Sequence, residues 1–113
     1  MHSDDIESII NRITSHQGVK ALIIMNKEGL LLKTNMEMNP TTEQLITNIH
    51  DLTISARRLV RDVDPHDDLM FLRTKSNTDE ILISPDVSFT VVVIQEVTET
   101  ITVKTSSTIE SLQ

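Results

Sequence analysis

Between Val60 and Arg73 the chain reads VRDVDPHDDLMFLR, which places Asp62, Asp64, His66, Asp67 and Asp68 within seven positions. Carboxylates and an imidazole this close suit two kinds of chemistry: a cradle for a divalent cation, or an acid and base acting on a substrate. Each demands more than proximity. A calcium loop of the EF-hand kind needs oxygens at alternate positions around a glycine and a closing glutamate, and the nearest glycine here is Gly29. A zinc site needs more nitrogen or thiolate ligands than His66 alone supplies, and the chain has no cysteine. The cluster has a structural reading instead. The residue before a proline avoids the α region, so Asp62, Val63 and Asp64 end a helix ahead of Pro65. His66, Asp67 and Asp68 then form a polar turn before the apolar run LMFLRT.

The other chemistry-bearing residues are dispersed. His2, His16, His50 and His66 form no H-x-x-x-H pair. His50 stands beside Asp51, but adjacent residues on a helix do not face each other, so His50 reads as a surface or interface residue. With Gly18 and Gly29 as the only glycines there is no phosphate-cradling loop, and no G-x-S-x-G elbow occurs. Met25, Met36, Met38 and Met70 read as core or loop filler rather than as a soft-metal set. Arg57, Arg58 and Arg61 make a local basic patch. It reads as a solvated face balancing Asp51 and Asp62, or more sharply as a surface for an acidic partner or a second subunit.

The elements that carry these residues follow from pattern. Ile6, Ile9, Ile10 and Ile13 lie at i, i+3, i+4, i+7 and predict a first helix, with Asp4 as its cap, Glu7 three residues on, and Gly18 as its stop. Val19 to Met25 and Leu30 to Leu32 predict a hairpin around the turn Asn26-Lys27-Glu28-Gly29. Pro40 breaks the chain, and Thr41 with Gln44 predicts a capping box opening a long helix over 42–62, about 30 Å at about 1.5 Å per residue. On that helix Leu45, Ile49, Leu52, Ala56 and Leu59 share about 80° of arc, and Ile46, Thr53 and Val60 extend it by about 60° on one side. LMFLRT, EILIS and FTVVVIQ predict three more strands, with turns at 76–79 and at Pro85-Asp86. The expected fold is α+β: a five-stranded, mostly antiparallel sheet with a long helix on one face and a short N-terminal helix on the other. Residues 1–97 form one domain, and 98–113, rich in Thr and Ser, a tail.

Composition narrows the function classes. Ten Lys and Arg against seventeen Asp and Glu leave a net charge of −7, which opposes a role on nucleic acid, where a basic face is needed. The longest apolar runs fall far short of a membrane span. The N-terminus, MHSDDIES, is acidic and has no apolar segment of a secretory signal. No cofactor is expected, and a soluble, intracellular protein is.

The run GVKALIIMNKEG, the NPTT cap, ARRLVRDVDP, DLMFLR and the closing VVVIQ resemble the roadblock-type dynein light chains over roughly residues 4–97. Each motif is short; their order and spacing carry the resemblance, and VRDVDP followed by DLMFLR points to the dynein branch of the wider roadblock/longin-like family. The resemblance implies a non-catalytic subunit of a microtubule motor, in the cytoplasm or on an axoneme, that forms a homodimer and binds the dynein intermediate chain. It implies that second helices pack together across the dimer and third strands join into one continuous sheet. Onto this sequence that places the dimer interface at Ile46, Thr53, Arg57, Val60, Leu69, Phe71 and Arg73. An apolar edge strand such as LMFLRT needs cover in any case.

The intermediate chain is expected beside Ile6, Ile9, Ile10 and Ile13. A sheet roughly 20 to 25 Å wide needs about two helices per face, and the short first helix is alone on its face. Typical short members end near Val97, so the tail departs from the family pattern. Two further readings stand beside this one: a scaffold or regulator of a small GTPase, as elsewhere in the wider family, and an enzyme using Asp64, His66 and Asp67.

Overall fold

The structure is a computed structural model and describes residues 3–97; the expected tail, 98–113, lies outside the described residues. Along the chain come α1 (Ser3–Thr14), β1 (Val19–Asn26), β2 (Leu31–Thr34), α2 (Pro40–Val63), β3 (Leu72–Lys75), β4 (Asp79–Pro85) and β5 (Phe89–Glu96). The strands form one sheet in the order β2-β1-β5-β4-β3, with every neighbouring pair antiparallel. This is the α+β architecture read from the pattern.

The turns show why the elements stop where they do. Asn26 closes the β1–β2 hairpin: its side-chain oxygen accepts from the backbone N–H groups of Glu28 at 3.0 Å and Leu30 at 2.9 Å. Gly29 adopts φ +89°, a region glycine enters without a Cβ penalty, and a Cβ there would lie 2.7 Å from the His50 ring. The bare glycine thus lets the hairpin rest on α2, and His50 is half-buried beneath it rather than on an open surface. Gly18 lies beyond the end of α1 with φ +92° and its carbonyl accepts from Glu96 N–H at 2.9 Å.

Three boundaries differ from the sequence expectation. Helix α1 already includes Ser3, so Asp4 stands within its first turn and not as its cap. Helix α2 is capped by Asn39, whose side chain accepts from Thr42 N–H at 2.9 Å, and not by Thr41; Gln44 reaches Asn48 at 3.1 Å instead of closing a capping box. Pro40 explains the difference. It has no N–H to satisfy and a preset φ, so it fits the first helical position and leaves the asparagine before it free to cap. The third strand starts at Leu72, not Leu69. Leu72 pairs with Ile83, so extending that register would set Met70 opposite Pro85, which has no N–H to donate to a ladder.

Alternation divides the sheet into two faces. Ile23, Met25, Ile83 and Val92 pack with Ile46 and Ile49 of α2, joined at the margin by Leu31, Met36, Leu45, Leu72 and Ile81. Leu22, Ile24 and Phe89 pack on the opposite face with Ile10 and Ile13 of α1 and with Val91 and Val93. Ala21 to Met25 of β1 are all buried, as a strand between two layers requires.

Candidate docking surfaces

The acidic stretch after α2 is a linker that folds on its own carboxylates. Asp64 caps the end of α2: its N–H donates to the Val60 carbonyl at 3.0 Å while its side chain accepts from His66 N–H at 3.0 Å. Asp67 accepts from Asp68 N–H at 2.8 Å, and Asp68 from Leu69 N–H at 2.8 Å. Asp68 also meets Arg57 at 3.1 Å and Arg61 at 3.4 Å, tying the linker back to the helix. The Leu69 N–H is the main reason its carboxyl is held below the usual range; partial burial works against this, and Arg57 and Arg61 add to it. Among the described residues no three His, Asp or Glu side chains gather where a metal could bind. Asp64, His66 and Asp67 are exposed and are not brought around a common point.

The faces of α2 are rotated from the sequence expectation. Thr42, Ile46, Ile49 and Thr53 are the residues buried against the sheet. That stripe is centred about 70° from the middle of the widest apolar arc. Ile46 and Thr53, expected at a dimer interface, are each 6% exposed and belong to the chain's own core, with the Thr53 hydroxyl donating to Ile49 O at 2.8 Å. What the helix leaves open is part of the arc expected to be core, Leu52 at 43% and Leu59 at 66% exposed, together with Val63 at 84%, while Ile49 of that arc is buried and Leu45 packs at the core's margin. The outward strip, Thr41, Asn48, Leu52, Ser55, Leu59 and Val63, carries no charge. The period was readable from sequence; the absolute rotation was not, because two adjoining apolar arcs compete and only the sheet selects between them.

The remaining expected interface residues divide. Leu69 is buried within the chain, Val60 is half-buried, and Arg57 is held by Asp68. Arg73 lies over the Glu80 carboxylate, its Nε donating at 2.7 Å, and Gln95 donates to the same carboxylate at 2.7 Å. Burial pushes Glu80 up, but the hydrogen bonds from Gln95 and Arg73 outweigh it, and its carboxyl sits below the ordinary 4.5. Phe71 is half exposed, and beside it Met70, which the sequence did not single out for an interface, is 80% exposed. β3 is an edge strand of four residues, so one side of its backbone has no strand partner among the described residues.

On the other face of the sheet α1 leaves a gap. Ile10 and Ile13 face inward onto Leu22, Ile24 and Phe89, so they anchor α1 rather than present a surface; the side chains of Ile6 and Ile9 lie outside the described residues. Beside α1 runs a groove of about 390 Å³ floored by Leu82, Phe89, Val91 and Val93, walled by Ile13 and Phe71, and bordered by Arg12 and Asp86.

The described residues thus form a small antiparallel sheet between two helices, with open apolar tracts on both sides. The Roadblock/LC7 domain family profile matches residues 5–96, and the chain belongs to that family. Solved structures share the fold at low identity. A Roadblock/LC7 domain from Streptomyces avermitilis superposes with a TM-score of 0.61 at 10% identity, over 70% of this chain and 67% of the other. Myxococcus xanthus MglB gives 0.64 at 16% identity, over 75% and 70%. An MglB with tetrameric arrangement gives 0.68 at 8% identity, over 82% and 71%.

Proposed function

We propose that this chain is a non-catalytic docking subunit that acts as a homodimer and holds a segment of a partner protein on its surface. The observation that carries this is the uncharged, exposed strip of α2 lying on the same molecule as the edge strand β3, whose outer side has no strand partner among the described residues. A strip without charge meets its own copy with no like-charge repulsion, and an edge strand paired with its copy across a two-fold axis loses its exposed backbone groups. The interface this favours is Leu52, Leu59 and Val63 with Met70, Phe71 and β3. In sedimentation, Leu59→Glu should shift the protein toward monomer with little change in stability; a wild type that is monomeric at micromolar concentration would overturn the dimer.

Two partner readings draw on different observations. Regulation or scaffolding of a small GTPase, the role the wider family offers, is supported by the likeness in fold to MglB proteins and to a bacterial Roadblock/LC7 domain. The dynein intermediate chain is supported by the motif run ARRLVRDVDP and DLMFLR and by the groove beside α1, which suits an amphipathic helix. With that second reading go microtubule-based movement and a cytoplasmic or axonemal place. Calorimetry with an intermediate-chain helix and with a panel of small GTPases in both nucleotide states separates them. Binding that buries the apolar groove shows a negative heat-capacity change.

A further inference from the structure

We infer that the α2 strip meets its own copy antiparallel and that a charged clasp fixes the register, with Arg58 of each protomer set between its own Asp62 and the partner's Asp51. This rests on the homodimer proposed above and adds to it the orientation and register of the two helices. It starts from three charged residues that the fold leaves unused. Arg57 and Arg61 reach Asp68 in the linker after α2. Asp51, Arg58 and Asp62 are exposed and form no salt bridge among the described residues.

Their place on the helix points to a second copy. At about 100° per residue, Asp51, Arg58 and Asp62 fall within about 40° of one another and stand about 60–100° from the middle of the uncharged strip. In paired helices that is where charged residues flank the apolar seam and set orientation. They border the strip on one side only; its other border is Leu45 and Ala56, both half-buried. A parallel pair would set the charged border against the partner's Leu45 and the partner's Ala56, where there is no countercharge. A two-fold axis perpendicular to the helices instead sets charged border against charged border.

Side-chain size gives the register. Ser55 and Ala56 are small, and Leu52 and Leu59 stand one turn to either side of them. Helices approach closest where the side chains at the crossing are small, so the axis passes at Ser55 and Ala56, and Leu52 lies level with the partner's Leu59. In that register Arg58 is about 3 Å along the helix axis from the partner's Asp51, while the two copies of Arg58 are about 7–8 Å apart along it and the two copies of Asp51 about 13–14 Å. Asp62, four residues after Arg58, also comes about 3 Å along the axis from the partner's Asp51. The two carboxylates need a cation between them, and a guanidinium with its fork of donors serves both.

Charge variants of the full chain test this. Arg58→Asp gathers three carboxylates at each of two symmetry-related places and should raise the dimer dissociation constant about tenfold at low salt, less as salt screens the charges. Mixing Arg58→Asp chains with Asp51→Arg chains returns a cation to that place. Native mass spectrometry should then find about four-fifths of the dimers to be mixed, above the half that random assortment gives. Both substitutions are on exposed positions, and selective pairing cannot arise from a chain that has failed to fold. Random assortment, or an Arg58→Asp dimer as tight as wild type, overturns the clasp and leaves the dimer standing. A wild type that is monomeric at micromolar concentration overturns the dimer and the clasp together.

Discussion

The two faces of the sheet are built from alternate residues of the same strands, yet they do different work. On one, a helix of 24 residues lays Thr42, Ile46, Ile49 and Thr53 across Ile23, Ile83 and Val92 and closes the layer. On the other, a helix of 12 residues covers Leu22 and Ile24 and leaves Leu82, Val91 and Val93 only partly covered. At about 1.5 Å per residue that is about 36 Å of cover against about 18 Å. The contrast teaches that two faces built from alternate residues of the same strands can be closed to different extents, although each holds a buried cluster of its own.

Neighbouring residues of β4 test this most sharply. Ile83 faces α2 and is fully buried, whereas Leu82 faces the groove and is half-buried. Ile83→Ala should cost about 2–5 kcal/mol, and Leu82→Ala less than about 1.5 kcal/mol, because a partly exposed side chain leaves no sealed cavity. Urea denaturation measures both; equal losses would mean that the groove is as tightly closed as the core. Gly29→Ala comes next. It forces a side chain into φ +89° and against the His50 ring at 2.7 Å, and should cost about 1–3 kcal/mol. Adding His50→Ala should return the share due to the clash and not the share due to the backbone, which a thermodynamic cycle on the two variants reads directly.

Asn39→Ala removes the hydrogen bond that opens α2 and should cost about 1 kcal/mol, while Thr41→Ala, at the position the sequence suggested, should change little. Thermal unfolding of the two variants decides which residue is the cap. The smallest effect belongs to the groove face and depends on pH. Glu80, held by Gln95 and Arg73, keeps its carboxyl below the ordinary 4.5. The folded state therefore binds its proton less readily than the unfolded chain does. The stabilisation is complete above about pH 4.5 and is lost as pH falls through the lower folded value. The stability gap between wild type and Glu80→Gln should narrow across that acid range. A gap that widens on acidification would contradict the arrangement of Arg73, Glu80 and Gln95.

Much of this architecture could be read from residue order alone. The hairpin at Asn26 to Gly29, the helix end before Pro65, the number of strands and the antiparallel sheet all follow from local rules, because turn chemistry and apolar period act over a few residues. The acidic cluster at 62–68 was legible for the same reason: caps and Asx turns need carboxylates where a helix gives way to a strand. Which apolar residues would lie exposed was legible only as a set of candidates. Ile46 and Thr53 stood in one apolar arc of α2 and Leu52 and Leu59 in another, and nothing local ranks one above the other.

The sheet made that choice. Seating Ile46 and Ile49 over Ile23, Ile83 and Val92 fills the layer and turns Leu52 and Leu59 outward. Likewise the sequence determined that Leu69 to Thr74 could extend as a strand, but the position of Pro85 on the neighbouring strand decided that pairing begins at Leu72. Amino-acid order set the period, the punctuation and the supply of apolar residues, which are properties of a few successive positions. Which apolar residues became core and which became surface was decided by packing between elements far apart in sequence, where burial is a property of the assembled layers and not of any one of them.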